Sequence, residues 1–196
     1  VTEGSKATFA SSFRLLGNSF VLMMVLSIFL VVGVDVGFNS NSGQFLIKRF
    51  GIDQTAAESG RSLYFFGRML GTFAGAILLT RISSGRFFMW TSVLGIICLT
   101  AIVLVKSAAL AWVLVFLIGL AVANIWPLVF SIVIGRHPDK SNEISGLVMM
   151  AISGGAVIPL LVGWVSDISN IALGMTILIA CMVYLWAVSV YCLKKL

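Results

Sequence analysis

Residues 110–134 read LAWVLVFLIGLAVANIWPLVFSIVI, 25 consecutive positions without an ionisable side chain. A helix needs about 20 apolar residues to cross about 30 Å of hydrocarbon, so this run is predicted to span a membrane. The chain repeats the pattern on both sides. Further runs at 17–38, 63–82, 87–105, 144–165 and 171–193 bring the predicted spans to six, separated by polar or Gly/Pro-marked breaks. The composition agrees: of 196 residues 60% are hydrophobic and 10% charged, against about 25% charged in an ordinary soluble domain, and the mean hydropathy is +1.10. A soluble globular domain, a disordered chain and a small disulfide scaffold are excluded. The expected fold is an all-α, polytopic membrane protein, with 1–16 as an N-terminal tail or linker and 17–196 as a six-helix bundle. Six spans leave no room for a soluble catalytic domain, so no catalytic residue is assigned and no enzyme is expected.

The charges describe topology. Thirteen Lys and Arg stand against seven Asp and Glu, and they lie in the short connections, not on one face, which argues against a nucleic-acid surface. An even number of spans puts both termini on one side. That side holds Lys6, Arg14, Arg81, Arg86, Arg136, Lys140, Lys194 and Lys195, and the other holds Lys48, Arg49, Arg61 and Lys106. By the positive-inside rule the termini are expected in the cytoplasm, with the protein in the cell (inner) membrane. RISSGR (81–86) and GRHPDKSNE (135–143) then read as cytoplasmic loops, with His137 a solvated loop residue, and 48–60 as the largest external loop. Cys98, Cys181 and Cys192 are odd in number, lie in apolar runs and show no CxxC spacing, so neither a disulfide framework nor a metal site is predicted. The first sixteen residues are mixed and polar and do not read as a signal peptide; the chain begins with Val and is expected to be a piece of a longer protein.

The six spans divide into two triplets, and an odd number of spans per triplet makes the triplets inverted relative to each other. Spans one and four, the first members, each carry a polar side chain deep inside beside a strong breaker: Asp35 with Gly33 and Gly37, and Asn124 with Pro127. Interrupted helices at corresponding positions of inverted repeats point to a transport site. Asp35 begins a polar stretch, DVGFNSNSGQ. Asn39 follows at i+4 and Ser42 and Gly43 at i+7 and i+8, so one helical stripe is expected to be polar. The stripe of Asn39, Asn41 and Gln44 supplies paired donors and acceptors suited to vicinal hydroxyls. A carboxylate within an apolar span is paired, protonated or functional; its alternative is a structural hydrogen bond or an end-of-helix acid reaching external water. Arg68 is either a snorkelling surface charge or the counter-ion of Asp35. Gly67, Gly71 and Gly75, spaced by four, build a smooth face for close helix packing. In span four, Pro127 frees the carbonyl of Ala123 and predicts a kinked cavity wall with Asn124 on it. Trp126, about 160° away, is open to two readings, stacking on a solute ring or packing in lipid or core. Span five carries Ser153 at mid-depth and Gly155, Pro159 and Gly163 every four residues, which reads as a flexible, closely packed helix.

The segments VVGVDVGFNS, LYFFGRMLGTFAGAILL, GLAVANIWPLVFS and NEISGLVMMAISGGAVIPLLVGWVSD together resemble the C-terminal six-helix half of fucose permease-like transporters, in the fucose:proton and glucose/galactose branch of the major facilitator superfamily. The resemblance covers the chain from Phe20 onward. It implies a twelve-helix alternating-access transporter of which this is the second half, so the implied partners are a small sugar, the bilayer and a missing N-terminal six-helix half. It also implies no cofactor beyond a proton gradient. RISSGR resembles the family's cytoplasmic signature loop, Asp35 matches a position usually polar or acidic, and Asn124 lies where the family's cavity is lined. The chain departs from fucose permease in one respect: the acids tied there to proton coupling belong to the half this chain lacks. The resemblance therefore does not make Asp35 the proton carrier. Export of another solute, or a six-helix structural role without transport, are the alternatives.

Overall fold

The structure is a computed structural model that describes residues 9–195. Within them lie nine α-helices: α1 Phe9–Leu15, α2 Ser19–Phe50, α3 Gln54–Leu78, α4 Ser84–Leu104, α5 Ala108–Val122, α6 Ile125–Arg136, α7 Ser141–Ala151, α8 Gly154–Ile168 and α9 Ile171–Lys195. A 3-10 turn, Pro138–Lys140, joins α6 to α7. The six predicted spans are α2, α3, α4, α5 with α6, α7 with α8, and α9. Part of the predicted tail is the short helix α1, packed on α7, and residues 1–8 of it lie outside the described residues. Five stretches are long and apolar enough to cross a membrane. The sixth, α3, is diluted by Glu58, Arg61 and Arg68, yet its 25 residues extend about 37 Å, enough to cross.

Three expectations are corrected. The external loop predicted at 48–60 shrinks to Gly51–Asp53, because α2 continues to Phe50 and α3 already starts at Gln54. Gly51 ends α2 in the left-handed region at φ 66°, its N–H donating to the Ile47 carbonyl at 2.9 Å, while the Asp53 carboxylate caps α3 by accepting from the Ala56 N–H at 3.0 Å. Polar residues on either side of this cap pair stay helical, since a helix need not end where hydrocarbon does. Second, span one is not interrupted: α2 is one helix of 32 residues, about 48 Å long. Third, the breaks fall in spans four and five. Span four breaks at Ala123–Asn124, where Pro127 withholds the N–H that the Ala123 carbonyl would receive. Span five breaks at Ile152–Ser153, just before Gly154 and Gly155, with Pro159 inside α8.

Gly33 and Gly37, read as breakers, are packing positions. A Cβ on Gly33 would run into the Ile158 side chain of α8, and one on Gly154 into the Phe29 carbonyl of α2. The second triplet repeats this seam: a Cβ on Gly67 of α3 would strike the Phe116 carbonyl of α5, and one on Gly119 of α5 would strike the Tyr64 carbonyl of α3. The first helix of each triplet thus packs on the second helix of the other, α2 on α8 and α5 on α3, while the third members, α4 and α9, pack on each other. Met24, Ile28, Phe38, Leu99, Ile118 and Met182 fill the shared core. Outside, Leu160 is 72% and Ile77 68% exposed, a surface suited to lipid or to further protein, not to water.

Gly67→Val is expected to lower stability by about 3 kcal/mol, because the obstacle is backbone and cannot rotate away. Gly163→Ala, where an added Cβ meets nothing within 4 Å, serves as the control and should melt with the parent in a detergent thermal-unfolding assay.

Candidate functional site

Asp35 has 16 residues of α2 before it and 15 after, so it sits at mid-helix, about 24 Å from the start. Asp35 is therefore not at the end of its helix. Its carboxylate is held from α3: Tyr64 Oη donates to Oδ1 at 2.5 Å, and Arg68 Nη1 forms a salt bridge to Oδ2. Tyr64 and Arg68 are spaced i, i+4 on α3 and project from one face, which is why one carboxylate meets both. Tyr64 is fully buried, whereas the side chains of Asp35 and Arg68 are 16% and 36% exposed. Both carboxylate oxygens have charge-matched or neutral donors, and the guanidinium retains an exposed edge. Of the two readings of Arg68, counter-ion is what the geometry shows.

A cleft of about 190 Å³ opens at this pair, walled by Val31, Val32, Val122, Trp126 and Ile152. It is apolar except for the ion pair and the indole, and the rings of Trp126 and Phe130 stack with centroids 5.5 Å apart. The break in span four leaves Val122 before it and Trp126 after it, and the break in span five brings Ile152 to the same wall. The arrangement supplies a carboxylate, a guanidinium edge and an aromatic face around a small volume. It offers no nucleophile beside a base, and no group of three or more His, Cys, Asp or Glu suited to a metal is found among the described residues.

Several predicted cavity residues lie elsewhere. Asn124 is buried, 7% exposed, and its Nδ2 donates to the Gly71 carbonyl at 2.6 Å, with the amide lying where a Cβ of Gly75 would be. It seals the seam between α3 and α5 instead of lining the cleft. Asn39, Asn41 and Gln44 do not form one stripe, because α2 is regular and residues two apart point about 160° from each other. Asn41 Nδ2 turns back to the Gly37 carbonyl at 2.9 Å, and Gln44 faces a separate groove with Glu58 and Arg61. Asn39 shares the face of Asp35, one turn on, and its Oδ1 is buried without a hydrogen-bond partner. Ser153 is exposed at the helix break beside Ile152, not on the cleft wall. Pro159 packs near Gly37. Tyr64 was not singled out from the sequence; its spacing of four from Arg68 was the available signal.

No protein-family model matches the chain. It is 28% identical over 167 residues to a glucose/galactose transporter of Brucella abortus (biovar 1, strain 9-941), covering 84% of this chain and 40% of that protein. It is 26% identical over 165 residues to a glucose/mannose transporter of Bacillus subtilis (strain 168), covering 83% of this chain and 40% of that one. The matched region thus spans about two fifths of the length of these relatives. Among solved structures it superposes on the major facilitator superfamily transporter FucP in the outward conformation with a TM-score of 0.88 at 18% identity, covering 97% of this chain and 47% of that one. The chain therefore has the six-helix fold found in major facilitator superfamily transporters, and in sequence it is similar to bacterial sugar transporters.

Proposed function

We propose that this chain is the C-terminal half of a proton-coupled sugar symporter, acting on a hexose or deoxyhexose by alternating access in the cell membrane. One observation carries the reading: an ion-paired carboxylate at mid-bundle opens into a cleft walled by an indole. A polar group at that depth is expensive unless it serves a solute path. Arg68 and Asp35 supply a donor and an acceptor for sugar hydroxyls, and Trp126 suits the apolar face of a pyranose ring. Transport would proceed by rocking this bundle against a partner bundle, with no covalent chemistry and no cofactor.

In this reading Asp35 is released from Arg68 during the cycle, either by protonation or by solute. In cells expressing the full-length protein, uptake of labelled glucose, galactose and fucose should include at least one accumulated sugar. Asp35→Asn should reduce that uptake by about tenfold or more, the scale of one lost charge-assisted contact, and a protonophore should abolish accumulation. Uptake indifferent to both treatments would overturn coupling through this site. Saturable binding that no sugar competes for would favour the second reading, an exporter of another solute.

Two further outcomes are expected. Arg68→Gln alone should destabilise by about 2 kcal/mol by leaving a carboxylate unpaired, and Asp35→Asn/Arg68→Gln should recover most of that loss in thermal unfolding. In this reading the termini are cytoplasmic, as the charge asymmetry of the connections supports. Gln54→Cys, next to the α2–α3 connection, should then react with a membrane-impermeant maleimide added outside intact cells.

A further inference from the structure

A cavity larger than the Asp35 cleft lies elsewhere in the bundle. About 700 Å³ opens at the end where α4 begins and α6 and α9 finish, lined in part by Ser83, Ser84, Arg86, Ser131, Arg136 and Leu193. Of the elements around the Asp35 cleft it shares only α6. Two guanidinium groups and three hydroxyls face it, and no Asp or Glu is among its lining residues. Arg86 Nε donates to Ser83 Oγ at 3.2 Å, and Ser83 makes no side-chain capping bond to α4, a helix of 21 residues. The positive end of α4 therefore adds to the two arginines at this mouth. Arg136 stacks on the Phe20 ring with its guanidinium carbon 4.5 Å from the centroid. That cation–π contact anchors Arg136 at the cavity wall, where the residue remains exposed.

The position of the cavity selects among anions. On α4, Arg86, Trp90, Ile97 and Leu104 fall within about 40° of one face, and the last three are 56%, 59% and 68% exposed. Read along the helix, this is a cation, then an indole, then exposed aliphatics, the order of headgroup, interface and hydrocarbon in a bilayer. On α6 the same side carries Pro127, Ser131 and Gly135, all exposed, and a Cβ on Gly135 would meet nothing within 4 Å. Ser131 and Gly135 line the cavity itself, so this side of α6 adds no bulky side chain to its wall. We propose that it binds an anionic phospholipid, with Arg86 and Arg136 clamping the headgroup phosphate and the exposed face of α4 lying along the acyl chains.

The full-length protein, passed through bilayer discs of equal phosphatidylglycerol and phosphatidylcholine, is to be released into mild detergent and weighed by native mass spectrometry. Phosphatidylglycerol should be retained in preference to phosphatidylcholine. Arg86→Ala should lower that retention about fivefold, the value of one basic group at an anionic surface. Gly135→Trp, which fills the cavity and removes no charge, should lower it likewise. Equal retention of the two lipids, undiminished retention in either variant, or displacement of the lipid by inorganic phosphate would each overturn the proposal.

Discussion

Two places where backbone touches backbone fix everything else in this bundle. Gly154 lies against the Phe29 carbonyl and Gly67 against the Phe116 carbonyl, closer than any side chain would allow. In hydrocarbon there is little hydrophobic drive to push helices together, so close approach and dispersion must hold them. The small residues are where that approach happens. Because the α2–α8 and α3–α5 seams are related by exchange of the triplets, one packing solution is used twice, and α4 and α9 complete the core behind it.

The ion pair depends on the same seams. Gly119 lies against the Tyr64 carbonyl and the Arg68 backbone nitrogen, so the depth at which α3 sits on α5 determines where Tyr64 and Arg68 project. Asn124 locks that register by bonding the Gly71 carbonyl. A residue that looks functional by its polarity and depth thus acts on the site from behind, by setting the position of the helix that supplies both donors to Asp35. The carboxylate stays in an apolar span because three elements hold its partners at the right height.

The fold was legible in the sequence to the extent that lipid imposes it. Hydrocarbon thickness sets the length of apolar runs, and the number and rough centres of the six spans followed from it. The ends did not, because the cap residues Gly51 and Asp53, not the bilayer boundary, end α2 and start α3. Glycines were ambiguous: Gly33 lies on a tight seam within an unbroken helix, while Gly154 lies on the same seam directly after a helix break, and residue type alone does not separate the two. At the site, Asp35, Arg68 and Trp126 stood out by being a charge or an indole in a decisive place. Tyr64 did not, since a tyrosine in an aromatic run reads as core. The polar stretch Asn39–Gln44 reads as one surface by composition, whereas helical phase along the regular α2 divides it. The arginine cavity brings together residues from three segments more than forty positions apart, a juxtaposition that no local pattern carries.

The two broken spans have a mechanical meaning. The break at Ala123–Asn124 and the break at Ile152–Ser153 bound a single stretch, α6, the 3-10 turn and α7, whose ends both lie beside the Asp35 cleft. Trp126 rides on one end of this stretch and Ile152 on the other. It resembles a panel hung at two points along one edge, so the bend angles at the two breaks set how far Trp126 and Ile152 stand from Asp35 on the unbroken α2.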